Sequence, residues 1–318
     1  MIQFDTDGLP PHERFDHWCE VRAKNLFGVT IELDRERRPA FRGRFSAVAL
    51  GRATFAEMAA SSYRVSRTSA DIARVSGDSL CIGQQIRGPG WLDIGRNGVH
   101  FIHEGALTLS HSDQPMAGTP QRSDGFLFRT LKIPLAAFDS PVKGLRDLSG
   151  APLSASGRFT KLALAAFNAL ARHPPQVADA DIEVRHVAQL ALLARGQASP
   201  RMPESRAALR SGYRHAARDL IARNLHRADL SPAMLAAWLG ISLRQLHLMF
   251  EPTGTSVART ITAQRLAEAR RLLTASADRQ VSEIALACGF DSIATFYRVF
   301  RQAYGLTPTD MRIADGAR

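Results

Sequence analysis

The sequence lacks long apolar runs and has only three cysteines, Cys19, Cys81 and Cys288. No stretch approaches the roughly 18 apolar residues of a membrane-spanning helix. The first residues have no basic start followed by an apolar segment, so we expect no export signal. The cysteines are far apart and lack the spacing of metal ligands. These absences argue against a membrane protein, a disulfide-stabilised domain and a zinc finger. They predict a protein of the reducing cytoplasm, with no membrane partner.

The last third of the chain also lacks lysine. From Arg206 to Arg318 there are 16 arginines and nine acidic residues, which gives +7 of the net charge of +11 of the whole chain. The longer preceding part therefore carries only +4. Positive charge concentrated in one region is typical of a domain that binds the phosphates of a nucleic acid, although an arginine-rich proteome would give the same total.

Residues 281–312 have the pattern of two short helices joined by a tight turn. Gly289 can take a positive φ at the end of the first helix, and Asp291 or Ser292 can cap the second. A short helix, a glycine turn and a second helix with a mixed exposed face predict a helix-turn-helix. The predicted buried side chains are Ile284, Ala285 and Cys288 in the first helix and Phe296, Val299 and Phe300 in the second.

The run GFDSIATFYRVFRQAYGLTP, residues 289–308, resembles the closing signature of the AraC-type transcriptional regulators. In that signature a glycine–aromatic turn precedes a recognition helix that ends in F-x-x-x-x-G-x-x-P. The resemblance implies an all-α DNA-binding domain with two helix-turn-helix motifs. It also implies a sequence-specific regulator, an activator that works with RNA polymerase at promoter DNA and responds to a small-molecule effector.

A second copy of the pattern lies fifty residues earlier. Ser231 and Pro232 look like a helix start, and Ser242 follows a glycine turn as the next cap. The copies are predicted at about 231–251 and 281–302, as an internal repeat of one structural unit. The corresponding buried positions are Leu246, Met249 and Phe250 in one copy and Phe296, Val299 and Phe300 in the other.

Residues 254–274 between the copies are predicted to form one helix. About twenty residues at ~1.5 Å each span ~30 Å, which is close to the ~34 Å repeat of B-DNA. Two recognition helices held at this separation can enter successive major grooves on one face of the duplex. The spacing therefore supports double-stranded DNA as the partner, apart from the resemblance.

The exposed face of each recognition helix supplies candidate contacts to DNA. Arginine suits guanine, glutamine suits adenine, and Ala, Leu or Ile can contact a thymine methyl group. The predicted base readers are Arg244, Gln245, His247 and Leu248 in the first copy and Ile293, Ala294, Thr295, Tyr297 and Arg298 in the second. The predicted phosphate contacts, which position the protein, are Ser242, Arg265, Arg270, Arg271, Ser292 and Arg301. For any single arginine, plain solvation at the surface is the alternative.

The whole chain is predicted to be an α+β protein of two domains. Residues 1–195 form an effector-binding and dimerisation domain, 196–204 a linker, and 205–318 the DNA-binding domain. Short runs broken by turn residues at about 29–135 predict antiparallel strands of a sandwich or barrel. Helical periodicity returns at about 156–195. These helices either form a homodimer interface or pack on their own barrel.

Within the family resemblance, the first half looks like the cupin-like domain that precedes many such DNA-binding domains, a β-rich barrel with flanking helices. A leading helix and a strand that enters an L-x-I-P motif at 131–134 carry this looser match. The leading helix brings Phe15, Trp18, Cys19 and Arg22 near one face. A small barrel can enclose one ligand. The candidate effector contacts are Arg64 and Arg67, which suit a carboxylate, and Trp91 and Phe101; surface arginines and core aromatics are the alternatives.

His100, His103 and His111 raise the question of a metal site. Residues three apart on a strand point to opposite faces, so His100 and His103 do not easily share an ion, and we predict no metal and no cofactor. The sequence also shows no nucleophile elbow, phosphate loop or paired carboxylates on one helix face, so we predict no enzyme. An interaction module with a degenerate DNA-binding domain and a cupin-type enzyme remain the alternatives.

Overall fold

The computed structural model describes residues 1–25, 28–138, 144–172, 177–275 and 278–316. The chain divides into two compact units, Met1–Gly212 and Tyr213–Arg318. The predicted linker, 196–204, therefore lies within the first unit. The boundary falls inside a continuous helix, Pro203–Arg223.

The described part of the first unit contains eleven strands in two antiparallel sheets. They are β1 (Ile2–Asp5), β2 (Thr30–Glu32), β3 (Gly43–Leu50), β4 (Ala53–Ala60), β5 (Arg64–Arg67), β6 (Ser79–Arg87), β7 (Gly90–Asp93), β8 (Val99–Ile102), β9 (Leu107–His111), β10 (Met116–Pro120) and β11 (Phe126–Pro134). The six-stranded sheet has the order β1-β3-β4-β11-β6-β9, and the five-stranded sheet has the order β2-β5-β10-β7-β8.

The α+β class and the β-rich first half are confirmed, but the closed barrel is wrong. Within the described strands neither sheet closes on itself, and each ends in two edge strands. The alternation of side chains along β6 shows how the first sheet is covered on both faces although neither sheet closes. Leu80 and Ile82 are fully buried on one face, while Cys81 and Gly83 face a cavity that the second sheet also lines. The first sheet is thus covered on both faces without closure.

In the described residues five helices accompany the sheets: α1 (Arg14–Asn25), α2 (Ser69–Arg74), α3 (Arg158–Arg172), α4 (Val177–Arg195) and α5 (Pro203–Arg223). The leading helix, which the spacing of apolar residues predicts over 15–27, is α1, and its predicted end lies outside the described residues. Trp18 on α1 is fully buried, with its ring 6.4 Å from that of Phe45 on β3. The α1 helix therefore anchors on the first sheet.

The helices predicted at 156–195 are α3 and α4, and they pack on their own domain. The Phe167 ring on α3 lies 5.4 Å from the Phe55 ring on β4. Arg195, at the end of α4, donates to the backbone carbonyl oxygens of Leu109, Ser149 and Ala151. The pair thus covers the face of the first sheet that points away from the second.

A buried ion pair ties the two sheets together. Arg67 on β5 is 1% exposed, and its Nη2 lies 2.9 Å from Oδ1 of Asp113, which follows β9. The guanidinium also donates to the backbone carbonyl oxygens of Gly28, Val75 and Ser112. Burial alone would raise the pKa of Asp113, but hydrogen bonds from Ser76, the N–H groups of Gly77 and Asp78, and Arg67 outweigh it and hold that pKa well below its usual range.

The second unit is helical. After the end of α5 it contains α6 (Pro232–Leu239), α7 (Leu243–Phe250), α8 (Val257–Ala275), α9 (Val281–Ala287), α10 (Ile293–Tyr304) and α11 (Pro308–Gly316).

Over the part of the chain that the structure describes, no single helix has the length and apolar character of a membrane span. One pair of helices, Pro232–Leu239 with Leu243–Thr253, meets those criteria together, and it is bent by 102°.

The helix α8 belongs to two hydrophobic cores. Its first half contributes Val257 and Ile261 to a core around Leu246 and Phe250. Its second half contributes another apolar set to a separate core around the second helix-turn-helix. That set consists of Leu266, Ala269 and Leu273. One helix therefore holds both motifs.

We expect Asp113→Asn to destabilise the chain by about 3–5 kcal/mol, because it leaves the buried Arg67 charge without its counter-ion. Asp7→Asn is the control, since Asp7 pairs with Arg42 at the surface and should change stability by no more than ~1 kcal/mol. Chemical unfolding measures both.

The pKa of Asp113 adds a pH dependence to this prediction. A depressed carboxyl pKa contributes stability that is present above its unfolded value, near pH 4, and lost as the pH falls toward the folded value. The wild type should therefore lose more stability than Asp113→Asn between about pH 5 and pH 2. Equal acid sensitivity of the two proteins would contradict the structural role of this pair.

Candidate nucleic-acid interface and effector cavity

The two helix-turn-helix motifs repeat the same local chemistry. The Ser242 hydroxyl accepts a hydrogen bond from the N–H of Gln245 and caps α7, and the Ser292 hydroxyl does the same for α10. Ser292, rather than Asp291, is thus the cap. The turn glycines Gly240 and Gly289 have φ of +65° and +79°. In each copy two apolar side chains, four residues apart on the second helix, are fully buried. They are Leu246 and Phe250 in α7 and Phe296 and Phe300 in α10.

All four predicted readers of the first copy are exposed on α7: Arg244, Gln245, His247 and Leu248. Gln245 also has a structural role. Its Oε1 accepts hydrogen bonds from the backbone N–H and the hydroxyl of Ser242, at 2.9 and 3.1 Å, and so completes a capping box. The amide oxygen of Gln245 is thus already engaged, whereas adenine recognition by glutamine uses both the oxygen and the nitrogen. The α7 helix ends at Phe250, where a short turn containing Pro252 follows.

In the second copy, the predicted readers divide into two groups. Ala294, Thr295 and Arg298 are exposed on α10. Ile293 and Tyr297 are half-buried against the core, and the Tyr297 hydroxyl lies 3.1 Å from that of Thr309. Among the described residues, Arg298 has no ion pair, so its guanidinium is available to a base edge.

The predicted phosphate contacts have different surroundings. Arg301 and Arg270 are exposed, and Arg270 lies over the Tyr304 ring. Arg271 is exposed but makes two hydrogen bonds to Glu268, at 2.8 and 2.6 Å. An ion pair at the surface exchanges its partner at little cost, so Arg271 can turn to a phosphate. The hydroxyls of Ser242 and Ser292 are engaged as caps.

Arg265 does not fit the phosphate role that we predicted for it. Its Nη2 donates to the backbone carbonyl oxygen of Arg227 at 2.5 Å. Its guanidinium lies 5.9 Å from the centre of the Phe290 ring. Burial lowers the pKa of Arg265 from its usual value. Arg265 is therefore an internal connector between α8, the segment after α5 and the second motif.

Gly289 is constrained by packing as well as by its φ. A Cβ at this position would overlap the backbone carbonyl oxygen of Leu225 and press against the Arg265 guanidinium. At Gly240, its counterpart in the first copy, a Cβ would meet nothing within 4 Å. The second turn thus packs against the segment after α5, and the first does not. This tertiary reason for Gly289 has no signal in the local sequence.

The first unit contains a cavity of about 220 Å³ between its two sheets. Both sheets and α1 contribute lining residues. Apolar side chains from the six-stranded sheet include Met58, Phe126 and Phe128, and those from the five-stranded sheet include Val65, Leu92 and Ile102. A mostly apolar cavity with a few polar groups is typical of a small-molecule site.

Only some of the four candidate effector contacts lie at this cavity. Arg67 lines the cavity, but its guanidinium is used by Asp113 and three carbonyl oxygens, so it is a structural arginine. Trp91 borders the cavity, but it is 49% exposed and pairs with Phe101 across the strands, so its ring lies on the outer face. Arg64 alternates with Val65 on β5 and is exposed on the opposite face. Phe101 likewise alternates with the lining residue Ile102 and packs edge-to-face on Trp91. Arg64 and Phe101 therefore lie outside the cavity lining.

Two lining residues, Arg22 and Tyr63, were absent from our candidates. Arg22 follows the buried Trp18 by one helical turn, so the face of α1 on which we placed both residues carries Arg22 to the cavity. Tyr63 immediately precedes Arg64, the first residue of β5. The sequence carried a signal for both residues. We used Arg22 only to describe the leading helix, and next to Tyr63 we considered only the arginines.

Asp78, His111 and Asp113 form a cluster whose potential ligand atoms lie within 4.8 Å of one another. Two arginines already balance its charge. Arg146 makes two hydrogen bonds to Asp78, and Arg67 pairs with Asp113. Nδ1 of His111 accepts from the N–H of Asp113, which leaves the proton on Nε2, facing Asp78 at 3.3 Å. The cluster is thus charge-balanced without a cation.

Comparison with known protein families agrees with both halves of this description. Residues 64–195 match the AraC-like ligand binding domain, and residues 235–313 match a helix-turn-helix domain. Together the two matches cover more than half of the chain. The chain belongs to the AraC family. The AraC-type resemblance of residues 289–308 and the cupin-like reading of the first half are thereby confirmed.

Individual AraC-family relatives match only part of the chain. It is 36% identical over 89 residues to the transcriptional activator NphR of Rhodococcus sp, which is 28% of this chain and 26% of that protein. It is 31% identical over 93 residues to the transcriptional activator RhrA of Rhizobium meliloti (strain 1021), 29% of this chain and 30% of that one. Each match thus spans less than a third of the relative.

Among solved structures, the fold is similar to that of the AraC-like transcriptional activator CuxR. The TM-score is 0.52, and the match covers 90% of this chain and 100% of that one. At 22% sequence identity, this likeness concerns the fold.

We expect Arg265→Met to destabilise the second unit by about 1.5–3 kcal/mol, since it removes a charged donor from a part-buried carbonyl oxygen. The slope of DNA affinity against salt should not change, because no phosphate contact is lost. Arg301→Met is the matched control: stability should stay the same, and the slope should fall by about one. A normal stability with a reduced slope in Arg265→Met would return this residue to the phosphate set.

Proposed function

We propose that this AraC-family chain is a sequence-specific transcriptional activator whose second unit binds promoter DNA. The observation that carries the proposal is that two capped recognition helices are attached to one helix, α8, of 19 residues. At ~1.5 Å per residue α8 spans about 28 Å. This is close to one turn of B-DNA, so α7 and α10 suit successive major grooves on one face. The net charge of +7 from Arg206 to Arg318 supports the same partner.

The proposed base readers are the exposed residues of the two helices. Arg298 and Arg244 each present a guanidinium to solvent, with no ion pair among the described residues, and suit guanine. Leu248 and Ala294 are exposed small or apolar surfaces that suit a thymine methyl group. His247 and Thr295 are the remaining exposed members. Arg270, Arg271 and Arg301 are the proposed phosphate contacts.

The cavity of the first unit is the proposed effector site. An effector can regulate only by binding one state of the protein better than another. The match to an AraC-like ligand binding domain and the mostly apolar lining both support a small organic ligand. We further propose RNA polymerase as the partner in activation, a homodimer as the working form, and the nucleoid of the cytoplasm as the location.

An enzyme is the less favoured alternative, as is an interaction module that no longer binds DNA. Burial raises the pKa of Cys81 to about 12 and that of Cys288 to about 11, so neither thiol is a nucleophile near neutral pH. The family's relatives are named as transcriptional activators. The intact caps of α7 and α10 oppose a degenerate domain.

A selection of genomic fragments with the full-length chain tests the function directly. We expect enrichment of one motif with two segments about one helical turn apart, and tight binding that falls as salt rises. Repeating the selection with metabolite pools tests whether an effector is needed. Salt-sensitive binding to all DNA alike, with and without metabolites, would contradict a sequence-specific regulator.

Arginine variants separate readers from phosphate contacts on the selected site. Arg298→Ala should cost ~1–3 kcal/mol on the specific sequence and relax preference at one base pair, whereas Arg271→Ala should weaken all sequences about equally. Competition binding against single-base variants of the site measures both. Arg96→Ala, an exposed arginine of the first unit, is the control and should bind as the wild type does. The opposite pattern for Arg298 and Arg271 would overturn the assignment.

A further inference from the structure

Arg22 is a buried cation without a counter-ion. The residue is 8% exposed. Among the described residues, neither Nε nor Nη1 has a hydrogen-bond partner. Leaving a charged donor buried and unsatisfied is costly, and native proteins avoid it unless the group has another use. Arg22 also lines the cavity between the sheets, so this residue lies beside the space in which a ligand would lie.

The neighbouring polar groups are donors as well. Tyr63 lines the same cavity, is 5% exposed as a residue, and its hydroxyl is buried. Burial raises the pKa of Tyr63, while the nearby charge of Arg22 and a hydrogen bond from the indole N–H of Trp18 act in the opposite direction, so the phenol stays protonated and can donate. This end of the cavity therefore offers donors and calls for an acceptor.

The remaining lining of the cavity provides no negative charge for Arg22. None of the described lining residues is Asp or Glu. The other arginine of the lining, Arg67, is neutralised by Asp113. The positive charge of Arg22 is thus the one that the described lining leaves uncompensated. An anion is the complement of such a site, and a planar carboxylate matches the guanidinium fork.

The body of the ligand is constrained by the apolar walls. The Phe126 ring lies edge-to-face on the Tyr63 ring, with centroids 5.1 Å apart, and Met58, Val65 and Phe128 continue the wall. The volume of about 220 Å³ is below the roughly 300–1,000 Å³ of sites for drug-sized ligands. The occupant must therefore be small and largely apolar.

We propose that the effector is a small organic acid, with its carboxylate bound by Arg22 and Tyr63 and its apolar body enclosed by the two sheets. This inference rests on the proposed effector site and adds the chemical class of the ligand. Arg22 and Tyr63 are ligand-binding residues, and the unpaired state of Arg22 in the free protein is the cost of a preformed anion site.

Thermal unfolding of the full chain without ligand tests the unpaired arginine. Arg22→Met removes a buried unpaired charge, so its melting temperature should equal or exceed that of the wild type. Arg67→Met is the matched control, because it removes an arginine with an ion pair and carbonyl partners, and it should melt lower by roughly 5 °C or more. A comparable loss in Arg22→Met would show that Arg22 is structural and would overturn the proposal.

Calorimetric titration of the full chain tests the ligand class. The probes are benzoate, cyclohexanecarboxylate and hexanoate, each paired with its neutral amide. We expect at least one carboxylate to bind at least tenfold more tightly than its amide. Arg22→Met should lose at least tenfold of that affinity, and Tyr63→Phe, which keeps the ring, should lose several-fold. No carboxylate binding, equal binding of the amides, or undiminished binding to Arg22→Met would each overturn the proposal.

These outcomes are separable from failure of the proposed function. A chain that selects one DNA motif but binds none of the carboxylates remains a regulator, with a different effector class. A chain that binds a carboxylate through Arg22 but selects no motif, with or without that acid, has the ligand site without the regulatory function.

Discussion

The second unit depends on the burial of one helix in two separate cores. Because Val257 and Ile261 are fixed in one core and Leu266 and Leu273 in the other, α8 cannot rotate or slide without opening one of them. The helices α7 and α10 therefore have a set distance and orientation. A preset geometry reduces the entropy lost on binding, which is the usual way in which rigid recognition elements gain affinity.

The two buried arginines of the first unit show how one residue type serves stability and binding in the same domain. Arg67 is surrounded by acceptors and joins the sheets. Arg22 lies at the same cavity, and its Nε and Nη1 have no acceptor among the described residues. Burial is similar for both, so the difference lies in the partners. A buried polar group whose needs are met by the fold stabilises it, and one whose needs are unmet is available to a ligand.

The sequence predicted what is encoded locally. The caps Ser242 and Ser292, the glycine turns and the fifty-residue repeat were readable because helix ends use short-range hydrogen bonds. The role of Arg265 was not readable, because it depends on a carbonyl oxygen 38 residues away, at Arg227. Nor was the packing of Gly289 on Leu225.

Alternation predicted the strands of the first unit but left two properties open. It does not specify whether a sheet closes, since that depends on which strands become edges. It also does not distinguish Arg67 from Arg64, because both arginines stand in one polar stretch of sequence. Arg67 is buried because it pairs with Asp113, and the sequence does not show that the two residues meet in space. Gln245 illustrates a third limit of prediction from the sequence: a side chain can be exposed and still have its hydrogen-bonding atoms engaged within the fold.

That occupation has a consequence for the DNA sequences that the chain prefers. Gln245 holds the first turn of α7 together, so turning its amide to a base would break the cap, and the gain at the base would be offset by the loss at the helix end. Arg298 makes no such capping hydrogen bond in the described structure. The half of an operator under α7 would therefore tolerate more base changes than the half under α10, and natural sites would be sharply defined on one side and degenerate on the other.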